Sequence, residues 1–191
     1  MDKNILPILR EIYSEKSKAT TNTAKQVAKL LNYIASNPNA EIQYRASGMK
    51  LYIHSDASYL SVAQAISRAS GVHFLSEGTT DPDNPEYFVP TTNGILLVVC
   101  KTMRNIMASE AKTEYVTIFV STQKSVPIRT TLSEMGWTQG PTAIQLDNST
   151  ALVIPTKEFR QNKSKAMDMR FYWINDRIEQ EQFRVFWRPG P

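Results

Sequence analysis

Hydrophobic positions near the start of the chain recur every three to four residues, as on one face of a helix. They predict a first helix over 4–17 and a second helix after the polar stretch Thr20-Thr21-Asn22-Thr23, a candidate N-cap. Ser36-Asn37-Pro38-Asn39 should end that second helix. We therefore expect an N-terminal helical segment over 1–40, followed by a differently patterned remainder over 41–191.

From residue 41 onward, short stretches alternate between apolar and polar positions, the period of a β-strand. Strands are predicted at 41–45, 49–56, 68–76, 94–103, 142–147 and 182–188. The apolar run at 94–103 is nearly continuous, which is typical of a strand buried on both faces. Residues 77–93 contain three prolines with Gly, Asp, Asn and Thr, and predict a long exposed loop.

Helical spacing returns between these later strands and completes the pattern of an α/β fold. Helices are predicted at 108–135, 148–155 and 164–180. Pro127 should kink the first of them or split it in two, and Gly136 is a plausible stop. With 41–45 and 49–56 counted as one strand region, the predicted order after the helical segment is β-β-β-α-β-α-α-β.

Composition sets limits on the class of protein. The chain has 191 residues, 41% hydrophobic and 21% charged, which favours one globular domain with an appendage. No apolar run approaches the roughly 18 residues of a membrane span, and the first residues lack the order of a signal peptide. Cys100 is the single cysteine and is expected to be a buried small hydrophobe. We expect an intracellular protein, in the cytoplasm or nucleus, with no membrane partner.

The charge is mildly basic, with a formal value of +4 and a pI near 9.1. This permits a polyanionic partner without demanding one. The basic residues cluster late in the chain, where five of them stand against the two acids Glu158 and Asp168. They are Lys157, Arg160, Lys163, Lys165 and Arg170. A solvated loop and helix start explains the cluster as well as a binding surface does.

Three carboxylates carry the candidate chemistry: Asp56 and Asp147 at predicted strand ends, and Glu114 early in a helix. Singly, Asp56 suits a turn, Asp147 suits a helix N-cap, and Glu114 is solvated if the helix phase is shifted by one. Together they can converge above one sheet edge. Like charges so placed need a counter-cation, and oxygen ligands select Mg²⁺ or Mn²⁺ rather than zinc.

Other catalytic classes find little support. His54 shares a strand face with Asp56 and His73 lies in another predicted strand; both are better explained as packed or solvent-facing side chains. With one cysteine and two separated histidines, a zinc site is not expected. The sequence has no phosphate-binding Gly-Lys-Ser/Thr loop, no dinucleotide fingerprint and no Ser-His-Asp motif.

Six segments, in order, carry a resemblance to a known family. They are Thr23 to Ala35, His54 to Tyr59 with Ser55-Asp56-Ala57, Ser67 to Gly71, Ala108 to Tyr115, Ile144 to Ala151 with Asp147-Asn148, and Ser164 to Tyr172. The chain resembles, over residues 20–190, the ribonuclease H region that follows the reverse transcriptase in copia-type retrotransposon polyproteins. This implies a ribonuclease H-like α/β fold, a five-stranded mixed sheet flanked by helices, with an N-terminal helical extension.

The resemblance also implies an activity: metal-dependent endonucleolytic hydrolysis of RNA in RNA–DNA hybrids, with Mg²⁺ or Mn²⁺ held by Asp56, Glu114 and Asp147. Five further residues are candidates for contacts to the phosphate, sugar or backbone of such a hybrid. These are Asn148, Ser149, Lys163, Lys165 and Arg170. The expected partners are an RNA–DNA hybrid and the reverse transcriptase of the same polyprotein, with residues 1–40 as the end of its connection to the ribonuclease H.

Two departures from the family lower the expected activity. Lys112 stands where the family has an acid. The family's fourth carboxylate follows a segment that here reads Trp187-Arg188-Pro189-Gly190-Pro191, so we expect a C-terminally truncated domain with a weakened second metal site. The alternative is a degenerate or repurposed ribonuclease H-like module that binds nucleic acid or protein without catalysis. A structural domain that uses the 77–93 loop is a third hypothesis.

Overall fold

The computed structural model describes residues 5–62, 66–77, 90–103, 109–147 and 165–188. The chain divides into two compact units, Met1–Gln43 and Tyr44–Pro191. No helix in these described ranges is both long and apolar enough to cross a membrane.

The N-terminal unit is a pair of helices, α1 (Ile5–Ser14) and α2 (Thr21–Ser36). The predicted N-cap is confirmed, because Thr20 and Thr23 form a reciprocal capping box in which each side chain accepts from the other's backbone N–H. After α2, the backbone N–H of Asn37 donates to Tyr33 at 3.1 Å, where the sequence predicted a stop.

The second unit is built on five strands. They are β1 (Lys50–Val62), β2 (Ile66–Ser76), β3 (Ile95–Thr102), β4 (Thr142–Leu146) and β5 (Phe183–Trp187). Their order in the sheet is β3-β2-β1-β4-β5. β1, β2 and β3 pair antiparallel, whereas β4 lies parallel to both β1 and β5. The predicted five-stranded mixed sheet, flanked by helices and preceded by a helical part, is confirmed.

Two long helices, α3 (Glu110–Glu134) and α4 (Lys165–Glu179), enclose the main core against this sheet. The core side chains come from three strands and both helices. They are Ile53, Ile144, Leu146, Phe183, Tyr115, Ile118 and Ile174. Because Tyr115 and Ile118 lie in this core, the N-terminal half of α3 is held firmly against β1.

Helix α3 runs through Pro127 as one element, so of the two outcomes predicted at Pro127, a kink or a split, the split is wrong. Pro127 and Gln123, whose carbonyl loses its helical donor, both face solvent, where water can satisfy that carbonyl. The predicted stop at Gly136 is confirmed. Gly136 has φ +90°, and its N–H and that of Trp137 return to carbonyls of the last turn, which is a Schellman motif.

Residues 41–45 form no strand, contrary to the prediction. Their partners are side chains rather than a neighbouring strand. Asn93 accepts from the Arg45 N–H and donates to the Arg45 carbonyl, both at 2.8 Å, and the Tyr44 hydroxyl donates to the Ile95 carbonyl. This side-chain pairing satisfies the backbone without extending the sheet.

The prediction that 94–103 is buried on both faces is also wrong, because β3 is an edge strand with Leu96 47% exposed. Cys100 on this strand is half-buried rather than buried. β1 continues past the predicted end at Asp56 to Val62, so Asp56 lies within the strand and the prediction that it ends the strand is wrong. The other strands and α4 lie within a few residues of their predicted positions. The predicted helix at 148–155 and most of the 77–93 loop lie outside the described residues.

Candidate metal centre

Parallel pairing of β1 and β4 brings two of the three predicted acids together. His54 is the register partner of Gln145, and both strands continue in the same direction. Asp56 within β1 and Asp147 directly after β4 each lie two residues beyond those partners, so they occupy equivalent, neighbouring positions.

Glu114 reaches the two aspartates from α3, one turn after the helix begins. Ser109 caps this helix, because its side chain accepts the Lys112 N–H at 3.3 Å. Glu114 is 2% exposed, and its Oε2 has no hydrogen-bond partner among the described residues. The prediction of a carboxylate on the apolar face of this helix is therefore confirmed, and the solvated alternative is wrong.

Asp56, Glu114 and Asp147 each offer a carboxylate oxygen, and these three oxygens lie within 4.8 Å of one another. The two aspartates are exposed and the glutamate is buried. The group thus has a fixed inner ligand and two outer ligands open to solvent.

The three carboxylates lie close enough together for their negative charges to repel one another. Burial, reinforced by the charges of Asp147 and Asp56, raises the pKa of Glu114 to about 8. Burial and the charge of Asp147 also raise the pKa of Asp56. A hydrogen bond from the Ala57 backbone opposes both shifts, and no cationic side chain among the described residues contributes to either.

These residues fit a divalent cation. An ionised carboxylate buried without a partner is costly, and within the described parts of the chain the free oxygen of Glu114 has no compensating positive charge beside it. All three donors are hard oxygens, which suits Mg²⁺ or Mn²⁺. The arrangement can hold a divalent cation.

Lys112 does not supply that charge. It lies two positions before Glu114 on α3, and residues two apart point to different sides of a helix. Its charge is also absent from the causes of both carboxylate pKa shifts. The positive residue at this position of the motif therefore leaves the centre negatively charged.

Of the predicted nucleic-acid contacts, Arg170 alone has a described side chain. Its guanidinium lies over the ring of Phe119, 5.6 Å from the centroid, and its carbonyl accepts from Tyr115, the neighbour of Glu114. Lys165 begins α4, but its side chain lies outside the described residues. Asn148, Ser149 and Lys163 also lie outside them.

Two further groups position the acids and were missed from the sequence. One is the Ala57 backbone, which hydrogen-bonds the carboxylates of Asp56 and Glu114. The other is Trp187, whose indole N–H donates to the Asp147 carbonyl at 2.9 Å. A tryptophan at a strand end usually needs a partner for its N–H, but the sequence does not reveal which partner.

The two histidines do not join the three-carboxylate group. His54 packs edge-on against Phe74, with ring centroids 4.9 Å apart. His73 is completely buried beneath α3, where its Nε2 lies 3.2 Å from the Ser121 carbonyl. Burial lowers the pKa of His73, which favours the neutral ring.

Solved structures with a similar course of the chain include ribonucleases H. The N-terminal ribonuclease H domain of a Mycobacterium tuberculosis protein is 14% identical, with a TM-score of 0.41 over 74% of this chain and 83% of that one. A ribonuclease H1 isolated from compost is 11% identical, with a TM-score of 0.48 over 74% and 85%. No family model matches the sequence, and no curated protein matches it.

A foamy viral protease–reverse transcriptase, solved in complex with double-stranded DNA, is 10% identical, with a TM-score of 0.43. The match covers 98% of this chain and 35% of the viral one. At such low identity, these comparisons assign no substrate and no activity to this protein.

Proposed function

We propose that the protein is a metal-dependent ribonuclease H of a copia-type retroelement, which hydrolyses the RNA strand of RNA–DNA hybrids. The convergence of Asp56, Glu114 and Asp147 within 4.8 Å is the observation that carries the proposal. The buried, unpaired Oε2 of Glu114 supports it, because such an atom is costly without a cation. The ordered motifs from Thr23 to Tyr172 support the family.

In this proposal the three carboxylates hold the cations and fix their position. Bound divalent cations would lower the pKa of an attacking water and stabilise the leaving oxygen. Glu114 provides the rigid part of the site, since burial and the hydrogen bond from Ala57 restrain its carboxylate. Exposed Asp56 and Asp147 leave an open side where a phosphodiester can approach. The products would carry a 3′-hydroxyl and a 5′-phosphate.

Recognition of the hybrid would use phosphate and 2′-hydroxyl contacts rather than base edges. We assign phosphate contacts to Lys163, Lys165 and Arg170, and sugar or backbone contacts to Asn148 and Ser149. Arg170 is the best supported of these, because its helix contacts α3 directly beside Glu114.

The proposal extends to the organisation of the chain. Residues 1–40 would be the end of the reverse transcriptase connection and 41–191 the ribonuclease H-like domain, with the reverse transcriptase of the same polyprotein as partner. Since such hybrids form during reverse transcription, the protein would act inside the cell, in cytoplasm or nucleus.

A cleavage assay tests this function. The chain is incubated with a hybrid labelled on its RNA strand, first with Mg²⁺ and then with Mn²⁺. We expect RNA-strand cleavage that Asp56→Asn reduces by about 100-fold or more, since even ligand-supporting residues are worth about 10- to 100-fold. Asp176→Asn on α4, an exposed carboxylate outside the site, is the matched control and should cleave normally. Absence of cleavage with both metals, or cleavage indifferent to Asp56→Asn, would overturn the proposal.

The second candidate is a module that binds nucleic acid without cutting it, which the basic excess between Lys157 and Arg170 favours. It predicts hybrid binding by a chain that shows no cleavage, and weaker, less salt-dependent binding when Lys163 and Lys165 are both changed to Glu. Hybrid affinity unchanged by that double substitution would remove this candidate.

A further inference from the structure

Four side chains alternate between arginine and aromatic ring where α3 and α4 meet. The Arg170 guanidinium lies over the Phe119 ring, 5.6 Å from its centroid, and the Phe119 ring meets the Trp173 ring edge to face at 5.4 Å. The Arg177 guanidinium then lies over the Trp173 ring, 5.3 Å from its centroid. All four side chains are half-buried, so this ladder of Arg170, Phe119, Trp173 and Arg177 has one packed side and one side in solvent.

The ladder begins beside the metal centre and leads away from it. Tyr115 directly follows Glu114, and its hydroxyl donates to the Arg170 carbonyl at 3.1 Å. The two stacked rings of the ladder lie about one turn further along both helices, so α3 and α4 run in the same direction here. Arg177 lies seven residues beyond Arg170, about 10 Å along the helix axis at roughly 1.5 Å per residue. The two guanidiniums are therefore spaced along a path that starts near the carboxylates.

Lys112 extends this path at its metal-centre end. Positions seven apart on an α-helix differ by only about 20° around the axis, so Lys112 lies on the same side of α3 as Phe119. That is not the side of Glu114, which comes two positions later. Lys112 is half-buried, and no acid among the described residues forms an ion pair with it. The residue that departs from the family's acidic motif thus adds a positive charge at the head of the ladder.

The cationic groups of the ladder can accept further hydrogen-bonding partners. Within the described ranges, no group accepts a hydrogen bond from the Arg170 guanidinium. Arg177 donates to Gln180 at 3.2 Å, and its Nε has no hydrogen-bond partner there and lies 3.9 Å from the carboxylate of Asp176. An ion pair between such solvent-accessible groups contributes little to stability. A guanidinium stacked on a ring keeps its N–H edge available for an anion.

From this arrangement we infer that Lys112, Arg170 and Arg177 form one phosphate-binding line, which holds a nucleic-acid strand as it leads away from the metal centre. The inference rests on the proposed function and deepens it, because it gives the strand a path and adds Lys112 and Arg177 to its contacts. One strand carries a phosphate about every 3.4 Å of helix axis, so arginines about 10 Å apart match phosphates about three nucleotides apart. The rings of Phe119 and Trp173 restrain both guanidiniums, which reduces the conformational entropy lost on binding.

The salt dependence of hybrid binding tests this line. The full chain is titrated into a fluorescently labelled RNA–DNA hybrid at several NaCl concentrations, with a chelator present so that no strand is cut. Each phosphate contact steepens the fall of log affinity with log salt by about 0.9. We therefore expect Lys112→Gln and Arg177→Gln each to make the slope shallower by about one, and Arg177→Lys, which keeps the charge, to retain it.

Arg45→Gln is the matched control and should bind like the parent. Arg45 is exposed beside β3, which lies at the opposite edge of the sheet from β5 and α4, and the hydrogen bonds of its backbone to Asn93 do not involve its side chain. Lys112 lies outside the stacked rings, so a shallower slope in Lys112→Gln is independent of any loosening of α4 in Arg177→Gln.

The outcomes separate this inference from the proposed function. A slope unchanged by both Lys112→Gln and Arg177→Gln overturns the phosphate-binding line, while RNA cleavage by the parent leaves the proposed function in place. Competition by polyglutamate as strong as competition by unlabelled hybrid also overturns it, because the surface would then suit an acidic protein segment. If the parent neither binds nor cleaves the hybrid, the inference and the proposed function both fail.

Discussion

Polar side chains near the start of β1 and β4 differ in their hydrogen bonding from those of the three-carboxylate group. Where β1 and β4 begin, Gln139 donates to the Met49 carbonyl at 2.8 Å and accepts from the Leu51 N–H at 3.1 Å. There, too, Arg129 donates to the Gly140 carbonyl at 2.7 Å. Where β4 ends, beside the middle of β1, Glu114 is buried with an unpaired oxygen next to two more acids.

This difference distinguishes polar groups that stabilise the fold from polar groups that are placed to bind a ligand. Buried polar groups in native proteins are nearly always hydrogen-bonded, and each exception needs an explanation. Gln139 completes the backbone hydrogen bonding of β1, so its polarity stabilises the sheet. The carboxylates at the other end repel one another and do not stabilise the fold by themselves. Their arrangement is accounted for by a bound cation.

The largest expected effect is stabilisation by metal at the carboxylate end. A ligand present at 100 times its Kd stabilises the native state by about 2.7 kcal/mol. Mn²⁺ at that level should raise the free energy of unfolding by this amount, measured by urea denaturation. Asp147→Asn should lose the stabilisation, whereas Gln139→Ala at the other end should retain it. Equal unfolding midpoints with and without Mn²⁺ would show that metal does not stabilise the carboxylate group, and would contradict the proposed difference between the two ends.

Gln139→Ala tests the opposite end. It leaves the Leu51 N–H and the Met49 carbonyl without their partner, and an unsatisfied buried group costs about 1–3 kcal/mol. We expect a loss of about 2 kcal/mol in urea unfolding and an unchanged Mn²⁺ affinity. Gln123→Ala, an exposed glutamine on α3, is the matched control. A change in Mn²⁺ affinity from Gln139→Ala would show that the two ends are coupled.

The pH dependence of stability without metal should come from the carboxylate end. The pKa of Glu114 rises from 4.5 to about 8, so the folded chain retains a proton there that the unfolded chain releases. The contribution of this bound proton to the free energy of unfolding is therefore present at low pH and lost as pH rises from about 4.5 to about 8. With a chelator present, the free energy of unfolding of the parent should fall by about 1–2 kcal/mol more than that of Glu114→Gln across this window.

Urea midpoints measured across this pH range check the prediction. Saturating Mn²⁺ is the control, since a cation in place of the proton should remove the decline in the parent. Parallel pH profiles for the parent and Glu114→Gln would mean that the glutamate ionises freely, and that its burial is relieved in solution.

The smallest expected effect concerns Trp187. Trp187→Phe keeps the ring and removes the N–H that donates to the Asp147 carbonyl. A net hydrogen bond is worth about 0.5–1.5 kcal/mol, so Mn²⁺ affinity should fall by less than about tenfold. Calorimetry measures this change. An affinity lowered as far as in Asp147→Asn would mean that Trp187 does more than position the aspartate.

Local sequence signals located most elements and all three acids. The capping box at Thr20 and the stop at Gly136 act within a few residues, so the sequence reveals them directly. The helical spacing of Ala111, Glu114 and Ile118 placed a carboxylate on the buried face, as observed. Predictions were wrong where burial depended on distant partners. The apolar run of β3 does not reveal that the strand lies at the edge of the sheet.

The same contrast separates what sequence determined from what tertiary structure decided. The sequence alone specified one acid on a strand, one acid directly after another strand and one acid early in a helix, because period and capping are local properties. That Asp56 and Asp147 are neighbours depends on the parallel register of β1 and β4, whose residues lie far apart in the chain. The burial of Glu114, and the rise in its pKa, depend on how α3 packs on β1. Tertiary packing thus brings together charges that repel, and a bound cation would offset that repulsion.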